Sequence, residues 1–162
     1  MTTRDRDELG RPRNARPRDR LGRLQPRGGP GIEGIPDDLE LPPEETLDYA
    51  QRLLDEGRAF GAHEVLEAAW KNGPAEERLL WQGLAQLAVG VTHIQRGNIT
   101  GAVSLLRRGS EHIVRDARAA PYGIDVPGLR EFASTLIGDL NAGVEITPDR
   151  LHPRLVVPGS RR

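Results

Sequence analysis

Residues 59–98, AFGAHEVLEAAWKNGPAEERLLWQGLAQLAVGVTHIQRGN, decide the fold class. Asn72-Gly73-Pro74 cuts the stretch in two, because Gly ends a helix and Pro fits the first turn of the next. Before the cut, Ala59, Phe60, His63, Leu66, Glu67 and Trp70 share one arc of a helical wheel, so 59–73 is expected to be a helix. After it, Leu79, Leu80, Leu84, Leu87, Ala88, Val91 and Ile94 leave almost no polar face. Residues 74–98 are therefore expected to form a helix that ends at Gly97.

The same signals extend outward. PPEETLDYAQRLLDEGR (42–58) has Pro before its first turn, acids within that turn and Gly57 as its stop. ITGAVSLLRRGSEHIVRDARA (99–119) reads as a fourth helix, APYGID (120–125) as a turn, and VPGLREFASTLIGDLNAG (126–143) as a fifth helix stopped by Gly143. No stretch alternates strongly enough for a strand. The expectation is an all-α, compact bundle of about five helices over residues 44–143.

The flanks differ in kind. Residues 1–43 carry seven Pro and six Gly with almost no apolar periodicity, so an extended or disordered arm is expected, draped near IPDDLELPP. Residues 144–162, VEITPDRLHPRLVVPGSRR, hold three Pro and no helical pattern and are expected to be an extended strap. A weak repeat with an offset of 40 aligns Gly57, Gly61, Ala62 and Leu66 with Gly97, Gly101, Ala102 and Leu106. It resembles a tetratricopeptide-type helix hairpin, or reflects the small residues any tight hairpin needs.

Composition narrows the class. The chain has 162 residues, no Cys and a formal net charge of -1. No apolar run reaches the roughly 18 residues a spanning helix needs, so no membrane role is expected. Without Cys there is neither a disulfide framework nor a thiol nucleophile or thiolate zinc site. MTTRDRDELGRPRN lacks the apolar core of a secretory leader, and the cytoplasm is the expected compartment. Residues 1–31 hold nine Arg against four acids, but the whole chain has 22 Arg and one Lys (Lys71). The arm interleaves acids and has no aromatic to stack on bases, which argues against a nucleic-acid partner. A homo-oligomer is left open.

The polar residues on apolar faces carry the functional argument. His63 and Glu67 lie one turn apart inside the apolar arc of the second helix, with Glu64 at its edge. On the third helix Gln82, Gln86 and His93 fall within about 40° of one another, and Arg96 follows one turn later. Short loops make neighbouring helices antiparallel, so the two stripes are expected to face each other. A buried Glu67 needs a partner: His, Gln, Arg or a metal. Three readings follow: a satisfied hydrogen-bond network, a divalent-metal site, or a pocket for a small polar ligand walled by Trp70 or Trp81. His63-Glu64-Val65-Leu66-Glu67 departs from H-E-x-x-H at its last position, which weakens a metalloprotease reading. His112 and His152 are expected to lie outside the cluster, and Arg107 and Arg108 to form a solvated helix face.

His63-x-x-x-Glu67-x-x-Trp70, then Gly83-Leu84-Ala85-Gln86-Leu87-Ala88-Val89, then His93-x-x-Arg96-Gly97-Asn98 and Gly101-Ala102, resembles domain of unknown function family 309. The resemblance covers roughly residues 44–141. It implies a small all-α bundle without an established reaction, and a motif of His63, Glu67 and Trp70 suggested to bind metal. It assigns no role to His93, Gln82, Gln86, Arg96 or Asn98.

These readings together make His63, Glu67 and His93 the candidate metal ligands, for zinc, iron or manganese. Gln82 and Gln86 would orient them, Trp70 would close the pocket, and Arg96 would border it. A metal-assisted hydrolase, with Glu64 or a metal-bound water as base, is the corresponding enzymatic expectation. The competing expectation is a non-catalytic helical interaction module whose His/Glu/Gln cluster is purely structural.

Overall fold

The computed structural model describes residues 35–36, 39–115 and 121–159. Among them are five α-helices: α1 (Pro43–Asp55), α2 (Ala59–Asn72), α3 (Arg78–Gln95), α4 (Ile99–Arg115) and α5 (Val126–Asn141). The class is all-α. The β-type pairing among the described residues is an isolated antiparallel bridge between Ile124 and Val156. Of the arm expected over residues 1–43, residues 1–34, 37 and 38 lie outside the described residues, as do residues 116–120, where the sequence predicts the end of the fourth helix. Among the described residues no helix is long and apolar enough to cross a membrane.

Successive helices form the main packed pairs, with α3 in the middle of the run. The helix stops explain the 40-residue repeat. Gly57 and Gly97 sit at φ +77° and +79°, where a side chain would strain the backbone. After α1, Arg58 N–H bonds to Leu53 C=O and Gly57 N–H to Leu54 C=O. After α3, Asn98 N–H bonds to His93 C=O and Gly97 N–H to Ile94 C=O. Both are the two-bond closure of a left-handed helix stop. The likeness continues at Ala62 and Ala102 and at Leu66 and Leu106, all fully buried, and stops at Gly61 and Gly101. A Cβ on Gly61 would make ordinary contact with Leu53, whereas one on Gly101 would fall 2.6 Å from Asn98 Nδ2.

The α3–α4 crossing brings two backbones into direct contact. A Cβ on Gly83 would lie 2.8 Å from the Gly109 carbonyl oxygen, and one on Gly109 2.7 Å from that of Gly83. The backbones therefore touch, and Leu80, Leu84, Leu87 and Val91 reach fully buried positions alongside Leu106 and Ile113. α3 begins later than the sequence predicts. Pro74 opens a short 3-10 turn, Ala75–Glu77, and the α-helix starts at Arg78. Glu77 is turned away from helical geometry (φ -103°, ψ 1°). Its carboxylate accepts from Trp81 Nε1 at 3.1 Å and from the Tyr122 hydroxyl at 2.6 Å. Tyr122 itself sits at φ +60° in the turn before α5.

Residues after α5 run back across the bundle. Leu151, Pro153 and Leu155 are buried while His152 and Arg154 are exposed, the alternation of an extended segment. Gln51 of α1 holds it at both ends of its amide. Its Nε2 donates to Pro153 C=O at 2.9 Å, and its Oε1 accepts from Leu155 N–H at 2.8 Å. Asp125 N–H then donates to Leu155 C=O and Val157 N–H to Gly123 C=O, which ties the segment to the start of α5.

Candidate functional site

The α2 face carries a chain of charge spaced at one helical turn. His63 Nε2 lies 2.7 Å from one Glu67 oxygen, and Lys71 Nζ lies 2.7 Å from the other. The His63 and Glu67 side chains retain 19% and 31% of their exposure, so both are largely withdrawn from water. The His63 hydrogen bond holds the Glu67 carboxyl down to about 2; burial opposes this and Lys71 adds to it. Glu67 is therefore an ionised acceptor and His63 Nε2–H the donor. In the neutral ring, that leaves the Nδ1 lone pair bare. Nδ1 is buried and has no hydrogen-bond partner among the described residues. Two turns along α2, the Trp70 indole N–H is likewise buried without a partner among those residues. The Phe60 ring lies 5.1 Å from the His63 ring, and the Arg96 guanidinium sits 5.6 Å over Phe60.

The other expected members go elsewhere. His93 Nδ1 accepts from Asn98 Nδ2 at 3.2 Å, while Asn98 Oδ1 accepts from Gly101 N–H at 3.0 Å and caps α4. Burial, then the nearby Arg96 charge, holds the His93 ring below its ordinary value. Gln86 accepts at Oε1 from His112 Nδ1, 2.7 Å away, across the α3–α4 contact. His112, expected outside the polar set, is thus the partner of one of its members, because α4 rather than α2 covers that side of α3. Gln82 and Glu64 are half-buried. His152 spans from the C-terminal segment to Leu54 C=O at 3.0 Å.

Among the described residues the three expected metal ligands do not gather into one donor set. Both Glu67 oxygens are engaged by His63 and Lys71, and the His93 Nδ1 lone pair is spent on Asn98. Among the described residues no three His, Asp or Glu side chains gather to hold a metal. The two stripes, expected from the helical wheels to face each other, part at Gln86 and His93: the one bonds to His112 of α4 and the other to Asn98 at the α3–α4 corner. Lys71 and Phe60 carry the site's charge balance and ring contact without having been singled out in the sequence. Lys71 was legible there as Glu67 plus four on one helix.

Residues 47–105 match the model of the family described as Domain of unknown function (DUF309). The uncharacterized protein YpuF of Bacillus subtilis (strain 168) is 31% identical over 96 residues, which cover 58% of this chain and 55% of that protein. The match thus spans about half the length of that relative. No solved structure matches the chain.

Proposed function

We propose, starting from a match to a family that brings no assigned reaction with it, that the α2 face binds a small polar organic ligand through His63 Nδ1. Glu67 is the orienting carboxylate and Trp70 N–H a second contact. The observation that carries this reading is the unpartnered, buried Nδ1 on a ring whose other nitrogen is held by an ionised carboxylate. A buried polar atom left unsatisfied costs about 1–3 kcal/mol. Such atoms concentrate where a partner arrives from outside the fold. The complement of this face is a ligand with a donor for His63 and an acceptor for the Trp70 N–H. A cytoplasmic location belongs to the same proposal.

The Gln86–His112 and His93–Asn98 pairs favour a second reading for the rest of the polar set: an interaction module whose inner polar groups only hold helix register. A thermal-shift screen separates the two. Small carboxylates, amides, amines and the ions of zinc, iron and manganese are each added to wild type, His63→Ala and Trp70→Phe. A polar organic compound should stabilise wild type, lose its effect in His63→Ala and act more weakly on Trp70→Phe. Stabilisation by none of the organic compounds would overturn the ligand reading. Near one equivalent of metal retained by wild type and lost in His63→Ala would reinstate the ion.

A further inference from the structure

A cleft of about 490 Å3 opens along the outer face of α4, far from the His63 ring in sequence and on a different helix. Its lining runs in order along the helix. Ile99 and Val103 give an apolar end, Thr100 and Ser104 present hydroxyls one turn apart, and Arg107 and Arg108 close the basic end. Asn141, at the last turn of α5, supplies an amide beside the apolar end. Ile99 retains 52% of its exposure, unusual for an Ile at the start of a helix that has a core to enter.

Charge makes this cleft stand out. Residues 44–143 hold fourteen acids against ten bases, yet neither Arg107 nor Arg108 has an ion-pair partner among the described residues. Glu111 lines the far end and stands one turn from Arg107, the spacing at which helix pairs form, but does not pair with it. The result is two guanidiniums without an ion-pair partner among the described residues, beside hydroxyls and an apolar floor. Guanidinium forks match carboxylate and phosphate oxygens in geometry as well as charge. The volume also falls within the range of small-molecule sites.

We infer that the α4 cleft binds an amphiphilic anion: a phosphate or carboxylate head on Arg107 and Arg108, with a short apolar body over Val103 and Ile99. Thr100 and Ser104 hydroxyls donate to the head or its ester oxygen. Glu111 disfavours a second anionic group at the far end, so the ligand carries its charge at one end. This site is separate from the α2 face and does not depend on it.

Calorimetric titration of the full chain with octyl phosphate, inorganic phosphate and octanol tests the inference. Octyl phosphate should bind at least about tenfold more tightly than either fragment, and its affinity should fall as salt is raised. Arg107→Gln and Arg108→Gln should each weaken it about tenfold or more, and Val103→Ser should weaken octyl phosphate while leaving inorganic phosphate unchanged. His63→Ala should bind as wild type does, which separates this site from the α2 reading. Equal binding by the arginine variants and wild type, or no binding of octyl phosphate at all, would overturn it. Binding only to vesicles containing phosphatidic acid, and not to octyl phosphate, would also overturn it, because it would make the surface a membrane contact rather than a small-molecule cleft.

Discussion

Glu67 is the residue on which the α2 face turns. Its two oxygens join a His and a Lys on one helix, and the His63 bond holds the carboxyl near 2 against an ordinary 4.5. A depressed acid stabilises the folded chain above the unfolded value and loses that contribution as pH falls through the folded one. Stability from Glu67 should therefore be complete above about pH 4.5 and disappear as pH approaches 2. Glu67→Gln should cost about 1–2 kcal/mol at neutral pH, the size of a charge-assisted hydrogen bond, and should flatten the acid limb of urea melts. If the variant and wild type fall in parallel between those pH values, the ion pair is not what the pH dependence reports. The burial of His93 acts in the same direction: its lowered value disfavours the charged ring, so that contribution too is lost as pH falls below the ordinary 6.5.

At the scale of elements, the α3–α4 crossing and the Glu77 latch set the geometry. Gly83 and Gly109 let two backbones touch. Gly109→Ala puts a methyl into a carbonyl oxygen and should cost about 1–3 kcal/mol, despite Ala's better helix propensity. Chemical denaturation gives the value, and a neutral or stabilising result would mean that the helices separate without cost. The latch is a different kind of contact. Tyr122 reaches back 45 residues to Glu77, which also holds Trp81. The Glu77 hydrogen bond, aided by burial, pushes the Tyr122 hydroxyl up to about 12. Its stabilisation should be full below pH 10 and lost as pH rises through about 12. Tyr122→Phe should remove about 1 kcal/mol and the late phase of a phenol absorbance titration. Retention of that late phase would place it on Tyr49 instead.

For the whole molecule, the C-terminal segment joins the first helix to the last. Gln51 holds both Pro153 and Leu155, and Leu155 C=O holds Asp125, the cap of α5. Gln51→Ala should strand a buried N–H and C=O and cost about 1–3 kcal/mol. Amide exchange should quicken at Leu155 and at Asp125 together. Faster exchange at Leu155 alone would show that the α5 cap stands without the strap. The segment also acts as a closing element for the run of helices, since α1 packs mainly on α2 and α5 mainly on α4 among the described residues.

Helix number and order were readable because they depend on local chemistry. The Gly57 and Gly97 stops, the Pro43 and Pro127 first turns and the apolar face of each helix act within a few residues. His63 and Glu67 were legible as a pair for the same reason, since one turn of one helix brings them together whatever the rest of the chain does. Three features were not local. Gln86 found His112 and not His63, because the side of α3 that α4 covers is settled by the Gly83–Gly109 contact between helices. His93 turned to Asn98, because the α3–α4 corner offers its ring an amide at bonding distance. Gln51 became the anchor of a segment about a hundred residues away. Wheel periodicity says which residues share a face. Which neighbour meets that face is set by backbone approach and by the long-range satisfaction of hydrogen bonds, and these exist once the helices have packed.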